Sequence, residues 1–515
     1  MLIFHGYLLH GTGSNVYNAE LAAALVKAGH EVHLLCQDRE PEDLDFVDAV
    51  GDWDGGALAV RELRDPVRCT VYRPDIGGLL PVYVADRYPG VEARPFPDLS
   101  EEEVADYVMR NVVAVREVAE LARPDVALAN HIVMGPVVLA RALAGIGVPY
   151  AVKIHGSALE YTVKPHPDRF LDAAREGLHS ARGILVGSRH TAESLWATIA
   201  DPDVRARTRL GPPGVDVDRF GPRDPGAAAE GLRALAERLR AAGVEGAQGM
   251  GRDPAAAGTA LAELDPARER LVAFVGKLIV SKGVDLLLAA WPLVLASVPH
   301  ARLVVVGFGA YREAFERLLA ALGSGDLDAV RELAEEGRAA EGGPRAPLRH
   351  LLGFLDGLGD ADRAAYVEAA RGLKERVTMT GRLEHAELAD LLPACEAQIV
   401  PSTFPEAFGM VAAEAAACGA LPISAGHSGL AEVSEALAAA VPEAARPWLS
   451  FPVDSGAAPA IAERIVEWLQ APVALREATR EALVATARER FSWEGVARRV
   501  LLAAEGRLDD LEVPA

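Results

Sequence analysis

The chain has 515 residues, 50% of them hydrophobic and 24% charged, more than one ordinary core accommodates, so two domains of roughly 200 residues each are expected. With 52 Lys and Arg against 74 Asp and Glu the net charge is −22, which argues against nucleic acid as a general partner and against a polybasic membrane face, while leaving room for a local basic pocket. Cys36, Cys69, Cys395 and Cys418 are too few for a disulfide framework and lack metal-ligand spacing, and no apolar run is long enough to span a bilayer; a soluble cytoplasmic protein without leader, transmembrane segment or metal is expected.

Residues 2–5 read as a strand, 18–28 as an Ala- and Leu-rich helix closed by Gly29, and 31–36 as a second strand. Between the first strand and the helix lies His10-Gly11-Thr12-Gly13-Ser14-Asn15-Val16-Tyr17, a Gly-rich turn that lets backbone approach a ligand. A dinucleotide fingerprint needs a further glycine at position 16, where Val16 stands, which disfavours an oxidoreductase. Residues 39–100, rich in Asp, Pro and Gly, read as loops with short strands at 69–72 and 81–84, rimming a cleft. Residues 101–122 have the pattern of a long amphipathic helix, 126–129 of a strand ending at Asn130-His131, 138–144 of a helix, and 150–154 of a strand followed directly by His155-Gly156-Ser157. The residue after a strand's carboxyl end in an open parallel sheet faces the crevice where ligands bind, which singles out His155. A strand at 184–186 follows. Asp216-Val217-Asp218 repeats a spacing that so acidic a chain contains elsewhere by chance, and is not read as a metal site.

Residues 223–268 shift to Ala, Gly, Arg and Glu without a strand pattern, and read as a linker or insertion in which 226–242 could be helical. A second sheet begins with a strand at 271–275, a Gly-bounded loop carrying Lys277 and Lys282, and a helix at 284–295. The strand at 302–306 precedes Gly307-Phe308-Gly309, but Arg312 stands where a dinucleotide site needs glycine. Residues 323–372 read as a helical insertion, a lid or an oligomer contact, before a strand at 377–380 and Gly381-Arg382-Leu383. The strand at 397–400, closed by Pro401-Ser402-Thr403, leads through Glu406 into a helix at 411–418 and a strand at 421–424. The amides of Phe408, Gly409 and Met410 fall in that helix's first turn, where unpaired N–H groups and the dipole favour an anion. Glu406 on the loop and Glu414 on the helix are carboxylate acceptors for hydroxyls, so the stretch suits a phosphate-linked polyol. Helices at 457–470 and 473–491 and Ser492-Trp493-Glu494 lead into a last helix.

Pro401-Ser402, Glu406-Ala407-Phe408-Gly409 and Glu414 resemble the paired-Glu motif of retaining glycosyltransferases of family 4, with the GT-B fold. Gly13-Ser14-Asn15-Val16-Tyr17 resembles the loop of the inositol-phosphate glycosyltransferases that open mycothiol synthesis, although Thr12 stands where that group has another glycine. The resemblance implies an α/β chain of two doubly wound Rossmann-like domains facing a central cleft: an acceptor-side domain over 1–222 with the helix 495–515 crossing back, the linker 223–268, and a nucleotide-sugar domain over 269–494. It implies that Glu406 and His155 contact the transferred sugar, that Glu414 holds the ribose, and that Arg382 meets the base. Gly13, Lys277, Lys282 and the amides of Phe408, Gly409 and Met410 would hold the diphosphate, and Asn15 and Tyr17 the acceptor. Lys277 replaces the family's arginine, keeping charge and losing the bidentate fork. The expected catalytic residues are His155, Lys282 and Glu406. The expected reaction is metal-independent, retaining transfer of a hexose from a UDP-glucose or GDP-mannose type donor to a small polar acceptor, phosphorylated or not, with no cofactor. A sugar-nucleotide epimerase on the same fold and a non-catalytic sugar-nucleotide binder are the alternatives; a homo-oligomer is left open.

Overall fold

The computed structural model describes residues 1–10, 13–83, 92–242 and 252–514. The chain divides into one unit of residues 1–214 and 491–515 and a second of 215–490, so the first break comes at Gly214, ahead of the expected residue 222.

The first unit is built on β1 (Leu2–Phe4), β2 (Val32–Leu35), β3 (Ala49–Asp54), β4 (Ala57–Glu62) and β5 (Cys69–Arg73), with β6 (Leu79–Val82) and β7 (Glu92–Pro95) apart. It continues with β8 (Ala127–Asn130), β9 (Tyr150–Ile154), β10 (Gly183–Val186) and β11 (Thr208–Leu210). Nine of these form one sheet in the order β11-β10-β9-β8-β1-β2-β5-β3-β4, and β6 pairs with β7. Its central strands are short apolar runs buried on both faces, as parallel strands under crossover helices must be. Register is set at β1, where Leu2 lies opposite His33 on one side and Ala127 on the other.

Two expectations change here. Residues 39–100 hold more strand than the two short ones expected: besides β5 at the expected 69–72, β3 and β4 form an antiparallel hairpin that extends the sheet, turning at Gly55 and Gly56 with φ of 58° and 88°, a conformation glycine adopts without strain. Of the strand expected at 81–84, residues 81 and 82 lie in β6, whereas Val84 falls outside the described residues. The helix expected at 18–28 begins at Gly13 and runs to Lys27, taking Ser14, Asn15, Val16 and Tyr17 out of the turn and into its first turns. The Asn15 amide reaches back to the His10 carbonyl at 2.7 Å, which ties the chain entering the helix to its first turn.

Helices Glu101–Ala122, Gly135–Ala142 and Pro167–His179 share one core on one face of the sheet; Gly13–Lys27 and Trp493–Glu505 share the other. The Trp493 ring comes so close to Gly214 that a Cβ there would lie 2.6 Å from it.

The second unit has six parallel strands, β12 (Arg270–Val275), β13 (Ala301–Val306), β14 (Val377–Gly381), β15 (Ala397–Val400), β16 (Leu421–Ala425) and β17 (Ser450–Phe451), ordered β14-β13-β12-β15-β16-β17. The helix expected at 226–242 is present as Pro225–Ala241, and with a second, Pro254–Ala262, it makes the expected linker part of this unit; the two are capped by Asp224 and Asp253 and bury Leu232, Leu235, Leu239 and Leu261. Between β13 and β14 stand helices Arg312–Ser324, Leu327–Glu336, Arg349–Gly357 and Asp360–Ala370, and the Tyr366 hydroxyl docks the last on the Ala289 carbonyl at 2.7 Å. Among the described residues no helix is long and apolar enough to cross a membrane.

Candidate functional site

In the second unit the expected residues gather at the carboxyl ends of β12, β14 and β15. The loop after β12 makes a tight turn over Val280–Lys282 and passes through Gly283 at φ 65°, where a Cβ would lie 1.9 Å from the Pro401 carbonyl oxygen. This close approach sets Lys282 against the loop that follows β15. The Lys282 ammonium pairs with Glu406 Oε1, and the Ser402 hydroxyl donates to the same oxygen at 2.7 Å. The Glu406 backbone is fixed at both ends: its N–H donates to Ser428 Oγ at 2.9 Å and its carbonyl accepts from Gly429 N–H at 2.9 Å. His427 Nε2 lies 2.8 Å from the Ser402 carbonyl, so it carries the proton, and Nδ1 accepts from the Ser428 hydroxyl at 3.1 Å.

The helix Met410–Ala417 starts beside this cluster with Gly409 as its first residue outside. A Cβ on Gly409 would lie 2.8 Å from the Leu430 side chain, so glycine is what lets the chain pass. The N–H groups of Phe408, Gly409 and Met410 precede the helix's own ladder, whose first bonds run from Ala412 and Ala413 to the Gly409 carbonyl. Glu414, a turn further on, is only 3% exposed and its Oε1 lies 2.8 Å from His385 Nε2, while the His385 ring packs on Phe220 at 4.8 Å. Arg382 pairs with Glu384 at 3.1 Å with its guanidinium 5.7 Å from the Phe308 ring centre. Lys277 lies on the same loop as Lys282.

The first unit brings His155 to the end of β9, its Nε2 2.8 Å from Asn130 Oδ1 at the end of β8. The His131 ring packs 4.9 Å from it and lies 6.2 Å from the His5 ring. Burial pushes His5 down to about 4, and His155 and His131 well below the ordinary imidazole range; in both of the latter the neighbouring histidines add to the effect. All three are neutral at physiological pH. Gly13 opens its helix; Thr12 lies outside the described residues. The two expected acceptor ligands lie inside the fold: Asn15 is 3% exposed and bonded to His5, and Tyr17 is 1% exposed with its ring 5.0 Å from His155 and 5.4 Å from Trp493. Under the Tyr17 ring lies Lys153, pushed down to about 7 by burial first and by Arg499 second, its ammonium donating to the Gly211 carbonyl at 2.6 Å.

Sequence reasoning gave no role to His5, Asn18, Asn130 and His131, nor in the second unit to Ser402, Ser428, His385 and His427. The strand-end rule that found His155 points equally to His5 after β1 and to Asn130 and His131 at the end of β8.

Residues 12–211 match the model of a glycosyl transferase 4-like domain, and 357–490 that of glycosyl transferases group 1. A D-inositol 3-phosphate glycosyltransferase of Segniliparus rotundus is 30% identical over 48% of this chain and 41% of its own length, and the chain aligns with less than half of the curated relatives it matches. Sucrose-phosphate synthase from Thermosynechococcus elongatus superposes with a TM-score of 0.57 over 99% of both chains at 19% identity, and Anabaena HepE in complex with UDP and glucose with 0.55 over 98% and 99% at 16%. These likenesses are of fold. The chain belongs with the glycosyltransferases of the GT-B fold, carrying a glycosyl transferase 4-like domain in its first unit and a group 1 domain in its second.

Proposed function

We propose that the protein is a retaining glycosyltransferase that moves a hexose from a nucleoside diphosphate sugar to a hydroxyl of a small polar acceptor, and that it needs no metal. The observation that carries this is the convergence of Lys282, Glu406, Ser402 and the amides of Phe408 to Met410: a cation and N–H donors for a diphosphate, beside carboxylate oxygen for sugar hydroxyls. Glu414, oriented by His385, supplies the acceptor for a ribose, and Arg382 lies next to Glu384 for the base. Support for a phosphorylated acceptor comes from the inositol 3-phosphate relatives, and for UDP from the HepE complex.

In the reaction the bond from the sugar's anomeric carbon to the diphosphate oxygen breaks and the acceptor oxygen joins the same face. The acceptor's proton passes to the departing diphosphate, so no protein nucleophile is required. The chain's task is orientation and charge stabilisation on the leaving group. Lys282, paired with Glu406 here, exchanges part of that contact for the diphosphate as charge develops.

Thermal stabilisation by UDP, GDP, ADP, their hexose conjugates and NADH, each with and without EDTA, tests the reading. A ligand at about 100 times its Kd adds roughly 2.7 kcal/mol. One nucleotide series stabilising regardless of EDTA is the expected result; stabilisation by NADH alone, or only with a divalent metal, overturns it.

A further inference from the structure

Four buried side chains of the first unit, Asn130, Asn18, His5 and Asn15, and the half-buried His155 form one hydrogen-bonded chain whose proton positions follow from backbone carbonyls. A carbonyl can only accept, so any side-chain atom facing one must donate. Asn130 Nδ2 lies 3.2 Å from the Phe4 carbonyl and 2.8 Å from Asn18 Oδ1, which uses both its hydrogens and turns Oδ1 toward His155 Nε2 at 2.8 Å. Asn18 Nδ2 lies 2.8 Å from the Ser14 carbonyl and 3.1 Å from His5 Nδ1. His5 Nε2 lies 3.0 Å from the Leu8 carbonyl and 3.0 Å from Asn15 Oδ1, and Asn15 Nδ2 donates to the His10 carbonyl at 2.7 Å. Every amide has its nitrogen on a carbonyl, and the two histidines fit only if both carry their proton on Nε2. Flipping any one amide sets oxygen against oxygen.

We infer that this relay holds His155 as the neutral Nε2–H tautomer, so that its Nδ1 meets the substrate only as an acceptor, selecting a sugar hydroxyl that donates. Asn130 is the positioning residue that acts on His155, and Asn18, His5 and Asn15 hold Asn130 in turn. The inference rests on the glycosyltransferase reading for the identity of the hydroxyl, but not for the tautomer. His131, whose two ring nitrogens have no hydrogen-bond partner among the described residues, packs against the His155 ring and restricts its rotation without entering the relay.

Two measurements test it. Long-range ¹H–¹⁵N spectra of the ligand-free full chain, assigned with His5→Gln and His155→Gln, should show both imidazoles as Nε2–H between pH 6 and 8; Nδ1–H or a tautomer mixture at either overturns the relay. Asn130→Ala should return His155 to a mixture while leaving His5 as it is; an unchanged His155 spectrum in a folded variant overturns Asn130 as the positioning group. Monodeoxy and monofluoro hexose donors are then compared in turnover. At the hydroxyl His155 meets, removal should lower kcat/KM about tenfold, the loss of one neutral hydrogen bond, and fluorine, which accepts but cannot donate, should do no better. Fluorine restoring activity overturns the acceptor role. If the tautomers are as stated but His155→Ala responds to every analogue as wild type does, the sugar contact fails and with it the placement of His155 in the glycosyltransferase reading, while the relay stands.

Discussion

Lys153→Met should stabilise the first unit in acid and lose that advantage in base. Lys153 sits on β9 at 2% exposure, and its pKa of about 7 is well below the 10.5 of an exposed lysine because burial, and then Arg499, disfavour the ammonium. Three to four pKa units at 1.36 kcal/mol each put the penalty for the charged form on the order of 5 kcal/mol. Below pH 7 both folded and unfolded chains hold the proton, and the penalty is present in full. As pH rises from about 7 toward 10 the folded state releases its proton while the unfolded state keeps it, so wild-type stability climbs through that window.

Methionine has no proton to bind in either state, so it escapes the penalty. It leaves the Gly211 carbonyl without its donor, at about 1–3 kcal/mol, and forfeits the cation over the Tyr17 ring, at about 1 kcal/mol. These terms take back about 2–4 kcal/mol of the gain and leave the variant ahead by about 1–3 kcal/mol at pH 6. Between pH 7 and 9 the two units of pH remove about 3 kcal/mol of the wild-type penalty, so the variant's stability relative to wild type should fall by about that amount from pH 6 to pH 9. Hydrogen exchange at the amides of β9 reads the stability of this unit at both pH values. A difference between variant and wild type that is the same at pH 6 and pH 9 would refute a depressed Lys153.

Lys282→Ala should lower kcat by about 100-fold while changing donor KM only a few-fold, since the charge it stabilises develops on the leaving group; steady-state kinetics decide this, and near wild-type kcat removes the role. Glu414→Gln should raise donor KM about tenfold, with His385→Ala in the same direction, because His385 orients the carboxylate; isothermal titration with the nucleotide alone checks it. In the second unit Asp285 carries the opposite pH signature to Lys153. Burial pushes its pKa up to about 7, partly opposed by the amides of Asp285 and Leu286, so the folded state holds a proton the unfolded state has lost, and stability falls as pH rises from about 4 to 7. Asp285→Asn should therefore raise the denaturation midpoint at pH 8 and leave it nearly unchanged at pH 4.

The paired Glu motif was legible because strand, loop, glycine and helix each imposed its own residue type: an apolar run at 397–400, Pro401 to close it, and Gly409 where Leu430 leaves no room for a Cβ. His155 was legible from strand position alone. The His155 relay was not, because it joins residues 5, 15, 18, 130 and 155 through a sheet order, β2-β1-β8-β9, that periodicity does not reveal. Asn15 and Tyr17 illustrate the same gap: a glycine-rich stretch reads as an open turn, and only the helix starting at Gly13 turns both residues inward. The helix at 225–241 was legible within a residue at each end, as 226–242, whereas that at 254–262 hid behind glycine and alanine, whose low hydrophobicity masked the face that buries Leu261. The cluster of Ser402, His427 and Ser428 depends on two loops meeting after β15 and β16, and serine carries no pattern of its own.

The helix Trp493–Glu505 packs into the first unit, and Arg209 Nε donates to the Leu508 carbonyl at 2.8 Å, 299 residues further along. On a ribosome adding roughly 5–20 residues per second, that separation is about 15–60 s of synthesis. Through that interval the nascent first unit has its sheet but lacks the Trp493, Val496, Ala497 and Val500 side chains that complete one of its two cores. Its apolar face is then a natural client surface for chaperones, and the second unit, whose residues 215–490 are contiguous, is free to close first although it is made later.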